Sequence, residues 1–167
     1  MKKLVLLLPL ISLNCFAAES KQDKAYSIGL GVGAMYSGIG TNLSFLSEND
    51  LKYISLGCVE HSANNGTICG FGAGWIKTDL FGTNANKHGL GVYVSIVGNE
   101  SYASYTSTTQ GEEYYAHNSD TYGAGVSYTY FMNGINKSGT ALGISLHATN
   151  ADFDNSYGVF FQVGYQF

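Results

Sequence analysis

Arginine is absent from the 167 residues, so every basic residue is a lysine; proline occurs once, at Pro9, and charged residues make up only 12%. With no arginine and a formal net charge of −4, the chain has no basic patch to track a phosphate backbone, which excludes nucleic acid as a partner. No window beyond the amino-terminal segment spaces apolar residues at helical intervals, which excludes a bundle or a fold with helical crossovers. The low charge also tells against a water-facing barrel, which would cover its outer face with Lys, Glu and Asp.

The longest apolar run lies at the start, in "MKKLVLLLPLISLNCFAAES". Lys2 and Lys3, an apolar stretch and then small residues read as a secretory signal peptide over residues 1–18, with cleavage between 17 and 20. The run contains Pro9 and falls short of the roughly 20 apolar residues that a membrane-anchoring helix needs. Residues 19–167 are enough for one domain.

What fills that domain is alternation. "AYSIGLGVGAMY" sets Tyr26, Ile28, Leu30, Val32, Ala34 and Tyr36 against Ser27, Gly29, Gly31 and Gly33, and Ser37-Gly38 suits a tight hairpin turn. Ile39 to Phe45, Ile54 to Cys58, Cys69 to Trp75 and Leu90 to Ile96 repeat the pattern, followed by Tyr122 to Tyr130, Leu142 to His147 and Gly158 to Phe167. Eight such segments predict an all-β, eight-stranded antiparallel up-and-down barrel with both termini at one end. One face is continuously apolar; the other is Gly, Ser, Thr and an occasional Tyr. Small residues suit a narrow eight-stranded interior and the apolar face suits hydrocarbon, so the pattern predicts a transmembrane barrel. Tyr26, Tyr36, Trp75, Tyr122, Tyr130, Tyr157, Tyr165 and Phe167 are the expected interfacial aromatics.

The signal peptide, the eight segments and the terminal "FQVGYQF" resemble the small outer-membrane β-barrels of Gram-negative bacteria, the OmpA/OmpX type. In that family a final aromatic, with aromatic or apolar residues at alternate positions before it, is read by the barrel-assembly machinery. The resemblance assigns that role to Phe161, Val163, Tyr165 and Phe167, and implies an outer-membrane location with both termini periplasmic. It departs from the type in its interior, which is mostly glycine where those barrels carry charged networks.

With that topology the connections 37–38, 60–67, 98–121 and 150–156 face outward. They hold Glu60, Glu100, Glu112, Glu113, Asp120, Asp152 and Asp154 and no lysine, whereas Lys21, Lys24, Lys52, Lys77, Lys87 and Lys137 fall on the periplasmic side. Acidic loops beside lipid and lipopolysaccharide phosphates call for relief by divalent cations or by an extracellular ligand. The longest connection, 98–121, mixes Tyr102, Tyr105, Tyr114 and Tyr115 with Ser, Thr, Glu112 and Glu113, which is the composition of a binding surface. It forms either a loop or a hairpin extending its flanking strands, with "TQGE" at the tip.

Cys58 and Cys69 share a face and stand opposite one another if the turn centres between Ala63 and Asn64, and Cys15 leaves with the signal. Export to an oxidising compartment then predicts a cross-strand disulfide. No metal or cofactor motif accompanies it: "GLGVG" and "GFGAG" lie within strands with no following helix.

One stretch carries a catalytic alternative. "HATNAD" is loosely similar to the His-x-Ser-Asn run of outer-membrane lipid A deacylases, which would make His147 the base, Thr149 the nucleophile and Asp152 or Asp154 the orienting acid. Thr stands in place of Ser, and strand parity turns His147 inward, where a histidine caps the lumen with hydrogen bonds. The leading expectation is therefore a non-catalytic barrel acting in surface interaction or envelope structure; the alternatives are a lipid A-modifying hydrolase and a narrow pore or internal ligand pocket in a glycine-lined lumen.

Overall fold

The computed structural model describes residues 25–62, 66–82, 86–108, 111–152 and 156–167; the expected signal segment and its cleavage window lie outside them. Eight strands follow one another: β1 (Tyr26–Gly33), β2 (Gly38–Leu46), β3 (Asp50–Ser62), β4 (Gly66–Lys77), β5 (His88–Thr108), β6 (Gly111–Phe131), β7 (Gly139–Thr149) and β8 (Tyr157–Gln166). Each pairs antiparallel with its sequence neighbour, and β8 returns to β1 over Gly29–Gln166 to Val32–Val163, closing the sheet. Closure pairs the edges that an open sheet would expose. Register partners traced from Tyr26 run through Phe45, Lys52, Trp75, Val92, Val126 and Leu146 to Val159, far along β8 from Phe167, as expected for strands tilted to the barrel axis.

Alternation decides which side chain goes where. In β8, Val159, Phe161, Val163 and Tyr165 point outward and Gln162 and Gln166 inward; Phe161 is 78% exposed and its neighbour Gln162 only 4%. Every strand repeats this, so an apolar belt runs round the outside. Inside, the half nearest the termini is packed by Leu51, Tyr53, Ile76, Phe131, Ile135 and Ala141. Leu46, Leu51, Ile76 and Phe131 sit on the inward side just outside the expected strand cores, whose inward face the sequence fills mostly with small residues.

The first hairpin departs from expectation. Gly33 (φ 112°) ends β1, Ala34–Tyr36 wind into a single 3-10 turn, and Ser37 (φ 53°) and Gly38 (φ 93°) reverse the chain. Ala34, Met35, Tyr36 and Ser37 are all buried. Tyr36 is therefore neither a strand residue nor an interfacial aromatic; it fills the lumen. The Ser37 hydroxyl lies 2.8 Å from that of Ser55 and accepts from Ser95, and Asn42 Nδ2 donates to the Met35 carbonyl.

The interior glycines make room for this turn. Gly31, Gly40, Gly57 and Gly70 are register partners on four successive strands, and Gly164 of β8 stands opposite Gly31. A methyl group at Gly31 would stand 2.6 Å from the Tyr36 ring; at Gly164 it would strike the Tyr36 hydroxyl, and at Gly40 or Gly57 the Tyr36 carbonyl oxygen. The glycine-lined interior is thus occupied by this protein's own chain.

A second correction concerns Ile96, expected on the outer face. The β5–β6 register shifts between Ile96 and Gly98, and this bulge re-aims the side chain. Ile96 is 2% exposed, and its side chain occupies the space a Cβ at Gly70 would need.

Candidate functional site

The end of the barrel away from the termini carries the candidate binding region. Of the two forms expected for residues 98–121, the hairpin is the one adopted: β5 runs unbroken to Thr108 and β6 starts at Gly111. β5 pairs with β4 only as far as Ser95, and β6 with β7 only from Gly123. Beyond those points the two strands pair solely with each other, setting Tyr102 against His117, Tyr105 against Tyr114, Thr106 against Glu113 and Ser107 against Glu112. Tyr102 is 40% exposed. The side chains of Tyr105, Glu112, Glu113, Tyr114 and Tyr115 lie outside the described residues, as do residues 109–110 at the tip.

Charge is sorted by end among the described residues. The hairpin end has Glu60, Asp120 and Asp152 exposed, with no lysine, whereas Lys52, Lys77, Lys87 and Lys137 sit at the terminus end beside Glu48, Asp50 and Asp79. Glu100 is the exception in exposure. It is 7% exposed, and its Oε2 accepts a hydrogen bond of 3.0 Å from the Asp152 backbone N–H, tying the β7–β8 connection to β5. The same connection is held by Asn150, whose Oδ1 accepts from the Tyr122 N–H at 2.7 Å and whose N–H donates to the Tyr122 carbonyl. The sequence places Glu100 among the outward acids but carries no sign that a loop folds over it.

His147 and Thr149 both face inward, as parity requires. His147 Nδ1 is 3.0 Å from the Tyr93 hydroxyl, and its ring packs on Phe160 with centroids 4.9 Å apart. Thr149 Oγ1 accepts from the Ala151 N–H at 3.2 Å, an arrangement that shapes the β7–β8 connection. Asp152 is exposed and is engaged through its backbone N–H; Asp154 lies outside the described residues. Of the residues of the catalytic alternative, His147 is engaged by Tyr93, Thr149 by the Ala151 backbone and Asp152 through its own backbone by Glu100.

Cys58 and Cys69 are direct register partners joined Sγ to Sγ, with Cα atoms 3.8 Å apart. A register shift between Cys58 and Glu60 moves the turn beyond them by one position without disturbing their pairing. Of the residues assigned to assembly, Phe161, Val163, Tyr165 and Phe167 all lie on the outer face, and the rings of Tyr165 and Phe167 meet edge-on at 5.0 Å. The Phe167 N–H donates to the Ile28 carbonyl, docking the chain end on β1. No group of three or more His, Cys, Asp or Glu among the described residues is arranged to hold a metal ion.

The lumen bears on the pore alternative. The apolar cluster at the terminus end and the folded-in turn at Ala34–Tyr36 occupy it, and two grooves, of about 1010 and 380 Å³, are lined largely by outward-facing residues of the wall. Comparison of the chain with protein-family models, curated proteins and solved structures found no match. What the molecule and its geometry define is an eight-stranded closed β-barrel with an apolar outer belt, a lumen packed at the terminus end and by the inward turn at Ala34–Tyr36, and one long acidic, tyrosine-rich hairpin.

Proposed function

We propose that the mature chain is an integral outer-membrane β-barrel of the OmpA/OmpX type, acting through its outward hairpins in surface interaction or envelope structure. The observation that carries this reading is the outer belt. Ile28, Leu43, Ile54, Val92, Val126, Leu146 and Val159 are each more than one-third exposed, and every strand contributes. Monomers in water seldom expose a contiguous apolar patch of more than a few hundred Å², whereas a barrel in hydrocarbon must present such a belt. The segregation of lysines to the terminus end and acids to the hairpin end agrees with termini in the periplasm and acids beside surface phosphates, where divalent cations bridge them. The Tyr-rich end of β5 and β6 is the contact region for an extracellular ligand.

The test is refolding of residues 19–167 from urea into detergent micelles and lipid vesicles. A barrel that resists dissociation in cold detergent, shifts its gel mobility only on heating and floats with vesicles supports the proposal. A folded, monomeric, detergent-free species in buffer would overturn it.

A further inference from the structure

Near the terminus end of the outer wall, two lysines share one indole. Lys52 is the register partner of Trp75 on the neighbouring strand, and Lys77 lies two residues further along β4. Their Nζ atoms are 5.6 and 5.7 Å from the Trp75 ring centroid, within reach of a cation–π interaction. Two carboxylates complete the cluster. Asp50, register partner of Lys77, accepts the Trp75 Nε1–H at 3.1 Å, and Asp79 lies 3.5 Å from Lys77. Two cations and two anions thus surround one exposed aromatic, and their charges balance.

Above this cluster the same wall becomes a groove. From Trp75 the outward residues of β4 are Ala73, Phe71 and Cys69, and those of β3 above Lys52 are Ile54, Leu56 and Cys58. The groove of about 1010 Å³ is lined on its outer face by Leu30, Ile39, Leu56 and Phe71 and by the Cys58–Cys69 pair. The six steps from Trp75 to Cys69 span about 20 Å along the strand, which at a tilt of about 40° is about half of a hydrocarbon core about 30 Å thick. A chain anchored at the cluster therefore reaches the groove.

We propose that Lys52, Trp75, Lys77, Asp50 and Asp79 form a binding site for a zwitterionic phospholipid headgroup bearing a phosphate and a primary ammonium, with an acyl chain laid up the wall into the groove. This rests on the outer-membrane reading and specifies the lipid. The lysines meet the phosphate, and the aspartates accept hydrogen bonds from the ammonium. A merely basic patch would favour an anionic headgroup; a balanced one favours a headgroup carrying both signs.

The experiment uses the refolded barrel with phosphatidylethanolamine, phosphatidylcholine and phosphatidylglycerol of identical acyl chains. Co-purified lipid is counted by native mass spectrometry, with Trp75 quenching by brominated lipid as a separate readout. Retention of phosphatidylethanolamine over both others by about twofold to fivefold is expected, as one charge-assisted contact at an exposed site gives. Lys52→Gln/Lys77→Gln, which removes the phosphate contacts, is expected to lower retention of all three lipids, and Asp50→Asn/Asp79→Asn, which removes the ammonium contacts, is expected to level phosphatidylethanolamine with phosphatidylcholine. Equal retention of the three lipids by the parent barrel, preference for phosphatidylglycerol, or a phosphatidylethanolamine preference that survives Asp50→Asn/Asp79→Asn would overturn the site. Those results together with quenched Trp75 leave the membrane reading standing; absence of quenching in every vesicle removes the membrane reading and the site with it.

Discussion

The hydroxyl of Tyr36 accepts a hydrogen bond of 3.4 Å from Gln166 Nε2, across 130 residues of sequence. The first turn of the barrel is thereby fastened to its last strand. Gln166 Nε2 also donates to Asn42 Oδ1 at 3.2 Å, and its Oε1 accepts from the Ser27 hydroxyl. Tyr36→Phe removes only the hydroxyl and is expected to cost about 1 kcal/mol. Tyr36→Ala leaves a cavity and is expected to cost about 3–5 kcal/mol. Urea titration of the refolded barrel measures both, and equal midpoints for the two variants would contradict a lumen filled by that ring.

The strand pattern was legible because hydrophobic alternation survives wherever a strand has two unlike faces, as in Val159 to Phe167. The inward turn was not legible. Ala34 and Tyr36 continue the period-2 pattern of β1 without interruption, so nothing local announces that Gly33 takes a positive φ and ends the strand. Ile96 was misplaced for a related reason: a bulge inserts one residue and re-aims the side chain, and no residue type marks it. The glycines looked like empty space in sequence, because the atoms that fill it come from a turn several strands away. The disulfide was legible because both cysteines lie on the outward face within one hairpin. Of the candidate binding region, the composition could be read, but not the way Glu100 is covered by the β7–β8 connection.

The cross-strand bond closes a short loop, which constrains the unfolded chain by about 2–3 kcal/mol. Thiol labelling of the protein isolated from cells without reductant is expected to modify neither Cys58 nor Cys69, and labelling after reduction to modify both. Cys58→Ser/Cys69→Ser is expected to remain folded with a lower unfolding midpoint. Quantitative labelling of both cysteines in unreduced protein would show that the bond does not form.

Beyond Ser95 on β5 and before Gly123 on β6 the two strands pair only with one another, and the segment 102–115 adds no strand pairing to the barrel wall. Replacing residues 102–115 with a short Gly-Ser link is expected to preserve the heat-modifiable form while abolishing any surface binding or divalent-cation dependence that the protein shows. Failure of this variant to fold would make the hairpin structural, and undiminished binding would place the contact region elsewhere.

The docking of Phe167 on Ile28 gives the chain end a structural role beside its proposed recognition during assembly. Deleting Phe167 is expected to lower the amount of folded barrel in cells several-fold while leaving refolding in vitro at a comparable yield, since only the cellular route reads the signal. A proportional loss in both settings would assign the residue to barrel stability alone.

Trp75 is the single tryptophan of the chain and stands on the outer belt, 43% exposed. Its fluorescence therefore reports on the belt without any added probe. In vesicles whose lipids carry bromine at graded depths along the acyl chain, the refolded barrel is expected to show a blue-shifted Trp75 emission, quenched most strongly by bromine near the headgroup and less by bromine near the bilayer centre. Emission at the wavelength of a water-exposed indole, unaffected by bromine at any depth, would contradict the assignment of this barrel to a membrane.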